Sequence, residues 1–170
     1  MIRFTERLRL APPVLADVRA HFEIHGDPET NRFNPAGPCL SLDESSAAIR
    51  EWIEHWQRSG FGYWAVSAQA GGPVTGFGGI VRRDYGDGPV LNLYYRFRPQ
   101  VWGRGYAQEM AVEAIRLAGE LELAEPIVAV INEENIPSVR TAERAGLRFD
   151  KIITLPRGQR LQYRYVTPPC

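Results

Sequence analysis

The sequence predicts an α/β (α+β) protein in which a mixed, mostly antiparallel central sheet is flanked by four helices. Three observations lead to this fold class: segments with apolar residues at helical spacing, short runs rich in β-branched and aromatic residues, and Gly- and Pro-rich turns between them. Along the chain they predict the order β-α-α-β-β-β-α-β-α-β-β. With 170 residues, 44% hydrophobic and 24% charged, we expect a single domain over residues 1–170 that buries a sizeable core.

The first part of the chain predicts one strand and two helices. RLRL is typical of a short strand, and a helix that begins near the following two prolines is interrupted at Asp27-Pro28. In the second helix Ser41 and Glu44 match a capping box, and Gly60 marks the end. Its apolar stripe indicates core packing and consists of Ile49, Trp52, Ile53 and Trp56. The turn-rich loop NRFNPAGPCL between the helices could shape a pocket.

An antiparallel meander is predicted next. The runs YWAVSA, VTGFGGIVRR and VLNLYYRF are separated by Gly-Gly-Pro and by Tyr85-Gly-Asp-Gly-Pro, which are turn signals of the hairpin kind. The glycines of GFGG fit two interpretations: a β-bulge, or the close approach of another chain segment or a bound group.

The second half of the chain predicts a long helix, a buried strand, a short helix and a closing hairpin. The long helix starts at Ala107, and its apolar residues are Met110, Ala111, Ala114, Ile115, Ala118 and Leu121. PIVAVI is typical of a strand buried on both faces, and IPSVRTAERAG is a short helix closed by Gly146. FDKIITL and LQYRYV then form the hairpin.

Composition disfavours several classes of partner. The formal net charge is zero, so no global positive field attracts nucleic acid or an anionic membrane surface. No apolar run approaches the roughly 18 residues of a membrane span. Cys39 and Cys170 have no metal-ligand spacing and suggest no disulfide framework, so a reducing cytoplasm is the expected location.

The stretch RPQVWGRGYAQEM, residues 98–110, carries the strongest functional signal. A strand ending at Phe97 passes through Gly103 and Gly105 into the amino end of the long helix. Such a junction presents unpaired N–H groups and the positive end of the helix dipole, which together suit a pyrophosphate. The alternative is that the glycines only permit a tight turn. A Walker loop would need Gly-Lys-Ser/Thr, and the dinucleotide fingerprint would need glycine at Gln108, so ATPase and NAD chemistry are disfavoured.

The segment Gln100-Val-Trp-Gly103-Arg-Gly105 resembles the Q/R-x-x-G-x-G/A signature of the GCN5-related N-acetyltransferases, the GNAT family. PQVWGRGYAQE, together with RLRL, GDPETNRF and NEENIPSVRTAERAGLRF in the same order, is similar to the RimJ/RimL ribosomal-protein alanine acetyltransferase branch. The resemblance covers most of the chain. It implies the GNAT fold and acetyl-CoA as cosubstrate, with no metal. The loop residues it implies in cofactor binding are Gln100, Val101, Trp102, Gly103, Arg104, Gly105 and Tyr106.

A second cluster lies in NEENIPSVR. Asn135 can cap the short helix whose first turn contains Pro137, and capping alone would explain it. The resemblance implies in addition that Asn135 contacts the pantetheine arm and that Ser138 lies near the thioester sulfur. Arginine suits phosphate, so the ribose phosphate of CoA is a candidate ligand for Arg104, Arg140 and Arg144.

The resemblance implies direct acetyl transfer to an amine. The oxyanion would be stabilised by a backbone N–H of the strand VLNLYYRF, at Tyr94 or Tyr95, and Ser138 is the first choice as proton donor to the sulfur, with a tyrosine or water as the fallback. Many relatives have a glutamate base where this chain has Asn92, which cannot accept a proton. We therefore assign no base. A bound water remains open as an alternative, as do three carboxylates on the acceptor side: Glu29, Asp43 and Glu44.

Two functions remain open from the sequence. The first is an acetyl-CoA-dependent N-acetyltransferase that acts on a primary amine, either a protein N-terminus or a small molecule. The second is a non-catalytic acyl-CoA-binding or sensing domain. Dimers are common in the family, so a homodimer is among the expectations. The three histidines have no partner at metal or triad spacing and are expected to be packed or surface residues: His21, His25 and His55.

Overall fold

The computed structural model describes residues 1–165, so Val166, the predicted end of the last strand, and Cys170 lie outside it. The strands are β1 (Arg3–Phe4), β2 (Leu8–Ala11), β3 (Tyr63–Ala68), β4 (Gly76–Asp84), β5 (Pro89–Phe97), β6 (Ile127–Ile131), β7 (Leu147–Leu155) and β8 (Gly158–Tyr165). The helices are α1 (Val18–His25), α2 (Leu42–Ser59), α3 (Tyr106–Glu120) and α4 (Ile136–Arg144).

The eight strands form a sheet in the order β1-β2-β3-β4-β5-β6-β8-β7. Every neighbouring pair is antiparallel except β5 and β6, which confirms the predicted mixed α/β fold class. The structure adds one strand to the predicted order. This strand, β1, has two residues, with Arg3 opposite Leu10 and Phe4 opposite Arg9. A strand this short has no measurable alternation of polar and apolar residues, so the sequence could not indicate it.

Helix α2 has the predicted ends. The Ser41 side chain accepts a hydrogen bond from the Glu44 N–H at 3.1 Å, and Gly60 closes the helix in the left-handed region at φ 73°. The Glu44 carboxylate accepts from the Leu40 N–H at 2.9 Å, one residue before the position a reciprocal capping box would use. Trp56 is 8% exposed, so its predicted role in core packing is confirmed.

The two faces of the sheet carry different helices. On one face, buried residues of α3 and α4, such as Met110 and Ala142, pack with Leu91 and Phe97 of β5. On the other face, Ile24 of α1 and Ile49 of α2 pack with residues of β3 and β4, Ala65 and Phe77. Alternate residues of β5 therefore face different helices.

The GFGG segment lies where α3 approaches the sheet. A Cβ added to Gly78 would lie 2.4 Å from Met110 Cε and 2.6 Å from the Tyr94 carbonyl oxygen. Strands β4 and β5 pair from Gly76–Phe97 to Asp84–Pro89 without a break in register. Close approach of another segment, and not a bulge, therefore explains the glycine at position 78.

Strands β5 and β6 part soon after they meet. Their parallel ladder consists of two pairs, Leu91 with Ile127 and Asn92 with Val128. Beyond these pairs β5 continues to Phe97 and β6 to Ile131 without facing each other across hydrogen bonds. The resulting wedge opens at the carboxyl ends of both strands, where a ligand can reach the edges of the sheet.

Across residues 1–165, none of the helices combines the length and the apolar character that crossing a membrane requires.

Candidate active site

The wedge between β5 and β6 is the mouth of a cleft of about 920 Å³. Its walls come from five parts of the chain: the loop between α1 and α2, the end of β5 with the turn into α3, the end of β6 with the residues after it, helix α4, and Arg160 of β8. The size of the cleft fits a cofactor or substrate of considerable length.

The turn from β5 to α3 forms the base of the cleft. A short 3₁₀ helix over Pro99–Val101 is followed by Gly103 at φ 75° and by Gly105 at φ 77°, which is the N-cap of α3. The N–H groups of the first helical turn, Tyr106 to Gln108, have no partner within an α-helix and point out of its amino end. No atom lies within 4 Å of a Cβ built on Gly103. The turn is therefore an open cradle with donors directed outward.

Arg7, just before β2, holds this cradle in place. Its guanidinium donates to the Arg104 carbonyl oxygen at 2.7 Å and to the Glu109 carboxylate at 2.7 Å. It also lies 5.2 Å from the centroid of the Tyr106 ring. One side chain therefore joins the loop, the first turn of α3 and the start of β2, which limits the movement of the outward-pointing N–H groups.

Asn135 and Ser138 lie together on the opposite wall. The Asn135 side chain accepts a hydrogen bond from the Ser138 N–H at 3.3 Å, which confirms the predicted N-cap of α4. Ser138 Oγ donates to the Tyr95 hydroxyl at 3.2 Å, and the Tyr95 hydroxyl donates to the Ser138 carbonyl oxygen at 2.7 Å. Burial raises the pKa of Tyr95 to about 12, so the phenol keeps its proton at neutral pH. The cleft thus contains two linked hydroxyl groups.

The two candidate backbone donors on β5 differ in direction. The Leu91 N–H donates to the Pro126 carbonyl oxygen before β6 at 2.9 Å. Because N–H groups alternate along a strand, the Tyr95 N–H faces the same side, beyond the last pair with β6. The Tyr94 N–H faces β4, where Tyr94 is opposite Gly79. Tyr95 therefore directs its N–H into the wedge.

Asn92 lies away from the cleft, in a polar chain on the other face of β5. Its side chain accepts from the Tyr85 hydroxyl at 2.9 Å and donates to the Tyr63 hydroxyl at 3.3 Å. Of the carboxylates considered as a base, Asp43 and Glu44 lie in the first turn of α2 and only Glu29 lines the cleft.

Two histidines of α1 form a buried stack beside the cleft. The rings of His21 and His25 are 3.8 Å apart with an interplanar angle of 6°. Burial lowers the pKa of His21 to about 4 and that of His25 to about 2. His25 Nδ1 donates to the His21 carbonyl oxygen at 3.1 Å, so its neutral ring accepts at Nε2 from the Tyr94 hydroxyl at 2.7 Å. His25 therefore orients Tyr94.

These histidines make stability depend on pH. Their pKa values in the folded state lie below the unfolded value of 6.5, so the unfolded chain binds more protons once the pH falls below 6.5. The contribution of the histidines to stability is full above pH 6.5 and is lost as the pH falls, toward 4 for His21 and toward 2 for His25, at up to about 1.4 kcal/mol per pH unit for each histidine. Urea unfolding between pH 7.5 and about 5 should show this slope, and a His21→Gln/His25→Gln double variant should flatten it. An unfolding free energy of the wild type that is constant over this range would contradict the prediction.

The cleft brings together most of the residues that the sequence singled out. They are Tyr94, Tyr95, Val101, Trp102, Gly103, Gly105, Tyr106, Asn135, Ser138 and Arg140, with Arg144 beside them. Gln100 and Arg104 belong to the same turn, but both are exposed and lie outside the lining. Sequence reasoning missed Arg96 as a lining residue. Its position two residues after Tyr94 on the same strand could have indicated it, since both face the same side.

The cleft lies between diverging parallel strands and has a glycine-bearing cradle at the amino end of a helix, an arrangement that suits an anionic ligand. Comparison with known proteins gives the family. Residues 7–148 match the family described as Acetyltransferase (GNAT) domain. The chain belongs to the GNAT acetyltransferase family, whose cosubstrate is acetyl-CoA.

Individual proteins are similar to this chain at different levels of identity. The uncharacterized protein YkkB of Bacillus subtilis strain 168 is 32% identical over 108 residues, which span 61% of this chain and 63% of YkkB. An acetyltransferase from Agrobacterium tumefaciens strain C58 is similar in structure, with a TM-score of 0.84, 26% identity and coverage of 98% of this chain and 95% of that chain. RimL, a ribosomal L7/L12 α-N-protein acetyltransferase, has a TM-score of 0.77 at 12% identity, covering 98% and 96%. At that identity RimL shares the fold alone, so the RimJ/RimL branch stays a prediction.

Proposed function

We propose that this protein transfers the acetyl group of acetyl-CoA directly to a primary amine, either a protein N-terminus as in the RimJ/RimL branch or a small molecule. The observation that carries the proposal is the continuity of one cleft from the open amino end of α3 to the linked hydroxyl groups of Ser138 and Tyr95. Family membership supports acetyl-CoA as the ligand of that cleft.

Binding of the cofactor would use the two walls in different ways. The pyrophosphate fits the cradle, because N–H groups and the helix dipole at the start of α3 attract an anion without side chains in the way. The pantetheine arm would pass Asn135 on the opposite wall. Arg140 and Arg144 line the same wall and could pair with a phosphate of CoA, while Gln100 and Arg104 remain proposals from the family pattern.

The chemical step would use groups at the narrow end of the wedge. The Tyr95 N–H would stabilise the negative charge that develops on the acetyl oxygen as the amine attacks. Ser138, linked to Tyr95, would protonate the departing thiolate. A free thiol has a pKa near 8.5, so this proton transfer requires only modest assistance. The amine would lose its proton to water, because Asn92 cannot accept one and the two buried histidines stay neutral; Glu29, which lines the cleft, is the alternative base.

A thiol-release assay tests the proposal. Acetyl-CoA and a panel of primary amines are incubated with the protein, and free CoA is measured together with the mass of the acetylated product. Amine-dependent thiol release with a stoichiometric acetylated product is expected. Tight binding of acetyl-CoA by calorimetry with no turnover on any amine would instead favour a non-catalytic acyl-CoA-binding domain.

Replacing Asn135 should affect stability and cofactor binding together. Asn135→Ala loses the N-cap of α4, which costs about 1 kcal/mol, and shifts Ser138, whose N–H the side chain holds at 3.3 Å. We expect a lower urea midpoint and a higher KM for acetyl-CoA. Asn135→Asp is the matched control, because it keeps a good N-cap but not the amide. Full stability and an unchanged KM in Asn135→Ala would remove this residue from the site.

The turnover of the enzyme should follow the ionisation of the acceptor. If water takes the proton, the chemical rate rises with pH toward the pKa of the amine, near 8 for an α-amino group and above 10 for a lysine-like amine. The pKa values of His21 and His25, about 4 and about 2, place no inflection near pH 6 to 7. A pH profile of turnover at saturating acetyl-CoA checks this. An inflection near pH 6 to 7 that is independent of the acceptor would reveal a base on the enzyme.

A further inference from the structure

Arg96 lies on the side of the cleft that is away from the cofactor cradle. Residues alternate along β5, so Leu93 and Phe97 face the core under α3, whereas Tyr94 and Arg96 face α1 and the loop after it. The Arg96 side chain lines the cleft together with residues of that loop on either side of Asn31, namely Glu29, Thr30 and Arg32 to Pro35. A ligand that contacts Arg96 would therefore approach from the acceptor side, opposite the helix that would bind pyrophosphate.

The Arg96 guanidinium is held by a buried side chain. Its Nη1 donates to Asn31 Oδ1 at 2.8 Å, and Asn31 is 7% exposed. The Asn31 amide nitrogen donates to the carbonyl oxygens of His25 at 2.7 Å and Asp27 at 2.8 Å. Because these bonds fix which end of the amide is oxygen, that oxygen must face Arg96. The guanidinium is therefore oriented before any ligand arrives, with donors to spare among its five N–H groups.

The charge of Arg96 has no carboxylate partner in the part of the chain that the structure describes. Within residues 1–165, the ion pairs of partly buried arginines include Arg98 with Glu23 at 2.7 Å and Arg3 with Glu113 and Glu120, but none involves Arg96. Arg96 is half-buried. A guanidinium that is partly desolvated and not neutralised attracts an anion, and its planar fork matches a carboxylate or a phosphate.

We propose that Arg96, oriented by Asn31, binds an anionic group of the acceptor, so that the preferred acceptors are amines that carry a carboxylate or a phosphate close to the nitrogen. This inference rests on the proposed function and narrows it to a class of substrate. Arg96 is then a specificity residue of the acceptor site. The small-molecule and peptide sources of such an amine share this chemistry and are separated by the assay.

Matched pairs of acceptors test the inference in the wild-type enzyme. Each pair differs in one anionic group: alanine and alaninamide, phosphoethanolamine and ethanolamine, and short amidated peptides with an acidic or a neutral second residue. Because that group also changes the pKa of the amine, each kcat/KM is referred to the concentration of unprotonated amine. We expect kcat/KM to be about tenfold or more higher for the anionic member of at least one pair, as for a hydrogen bond to a charged group. The pair with the largest ratio shows whether the anionic acceptor is a small molecule or a peptide. Equal rates within every pair would overturn the inference and leave the acetyltransferase proposal intact, whereas no thiol release with any amine would defeat the proposed function itself.

Variants of Arg96 provide the second readout. Arg96→Gln should reduce kcat/KM for the anionic acceptor about tenfold or more and leave the neutral member within about twofold, with an unchanged KM for acetyl-CoA. Arg96→Lys keeps the charge without the planar fork. Its kcat/KM for the anionic acceptor should lie between those of the wild type and Arg96→Gln. Arg83→Gln removes the same charge from an exposed position on β4 and serves as the matched control. An equal loss for both members of a pair in Arg96→Gln would mean a structural role only.

Inorganic phosphate gives a test that needs no variant. At saturating acetyl-CoA, phosphate should compete with the acceptor in the wild type, because it would occupy the Arg96 site. Inhibition that is not competitive with the acceptor would count against the inference.

Discussion

Gly105→Val is expected to weaken acetyl-CoA binding about 10- to 100-fold while the protein remains folded. Gly105 is the N-cap of α3 at φ 77°. A β-branched residue is strained in this region by at least about 1–2 kcal/mol, and it relieves the strain by moving the backbone. That movement would redirect the N–H groups of the cradle, each of which contributes about 1.5–3 kcal/mol as a hydrogen bond to a charged group. Calorimetry with CoA and acetyl-CoA measures the loss.

A second left-handed glycine separates strain from binding. Gly60 ends α2 at φ 73°, and a Cβ built there meets no atom within 4 Å. Gly60→Val therefore carries a similar backbone strain away from the cleft. We expect both variants to lose stability in urea and only Gly105→Val to lose affinity. Wild-type affinity in a folded Gly105→Val protein would place the pyrophosphate elsewhere.

Loss of the Ser138 or Tyr95 hydroxyl group should lower turnover about 100-fold with little change in the affinity for acetyl-CoA. The value is at the low end of the range for general acid catalysis, because a thiolate is a good leaving group. Proton delivery to sulfur matters chiefly in the transition state, so kcat should fall more than the KM for acetyl-CoA. Steady-state kinetics of Ser138→Ala and Tyr95→Phe provide the measurement.

The double variant tests whether the two hydroxyl groups act as a unit. Ser138 Oγ and the Tyr95 hydroxyl are 3.2 Å apart, and the Tyr95 hydroxyl also donates to the Ser138 carbonyl oxygen. If one proton path runs through both, Ser138→Ala/Tyr95→Phe should be no slower than the slower single variant. Additive losses would mean separate roles. An unaffected Ser138→Ala enzyme would remove Ser138 as the acid.

The sequence alone determined the features that depend on neighbouring residues. Helical periodicity predicted α2 and α3, the Ser41 and Gly60 signals predicted the ends of α2, and Asn135 was predicted to cap α4. The glycines of the β5–α3 turn indicated an anion cradle for the same reason, since a turn and a helix end are local structures. The signature in that turn also predicted acetyl-CoA as the cosubstrate. The family match over residues 7–148 supports this prediction.

Only the tertiary structure decided what lies opposite those local features. Tyr95 and Ser138 are 43 residues apart in the chain, Asn31 and Arg96 are 65 apart, and His25 and Tyr94 are 69 apart. No short pattern encodes such pairs, because they depend on where β5 and β6 part and on which face of β5 each side chain lies. The sequence could therefore indicate the cradle that we propose binds the cofactor. The side of the cleft that we propose for the acceptor, with an arginine held by a buried asparagine, is produced by packing between distant segments.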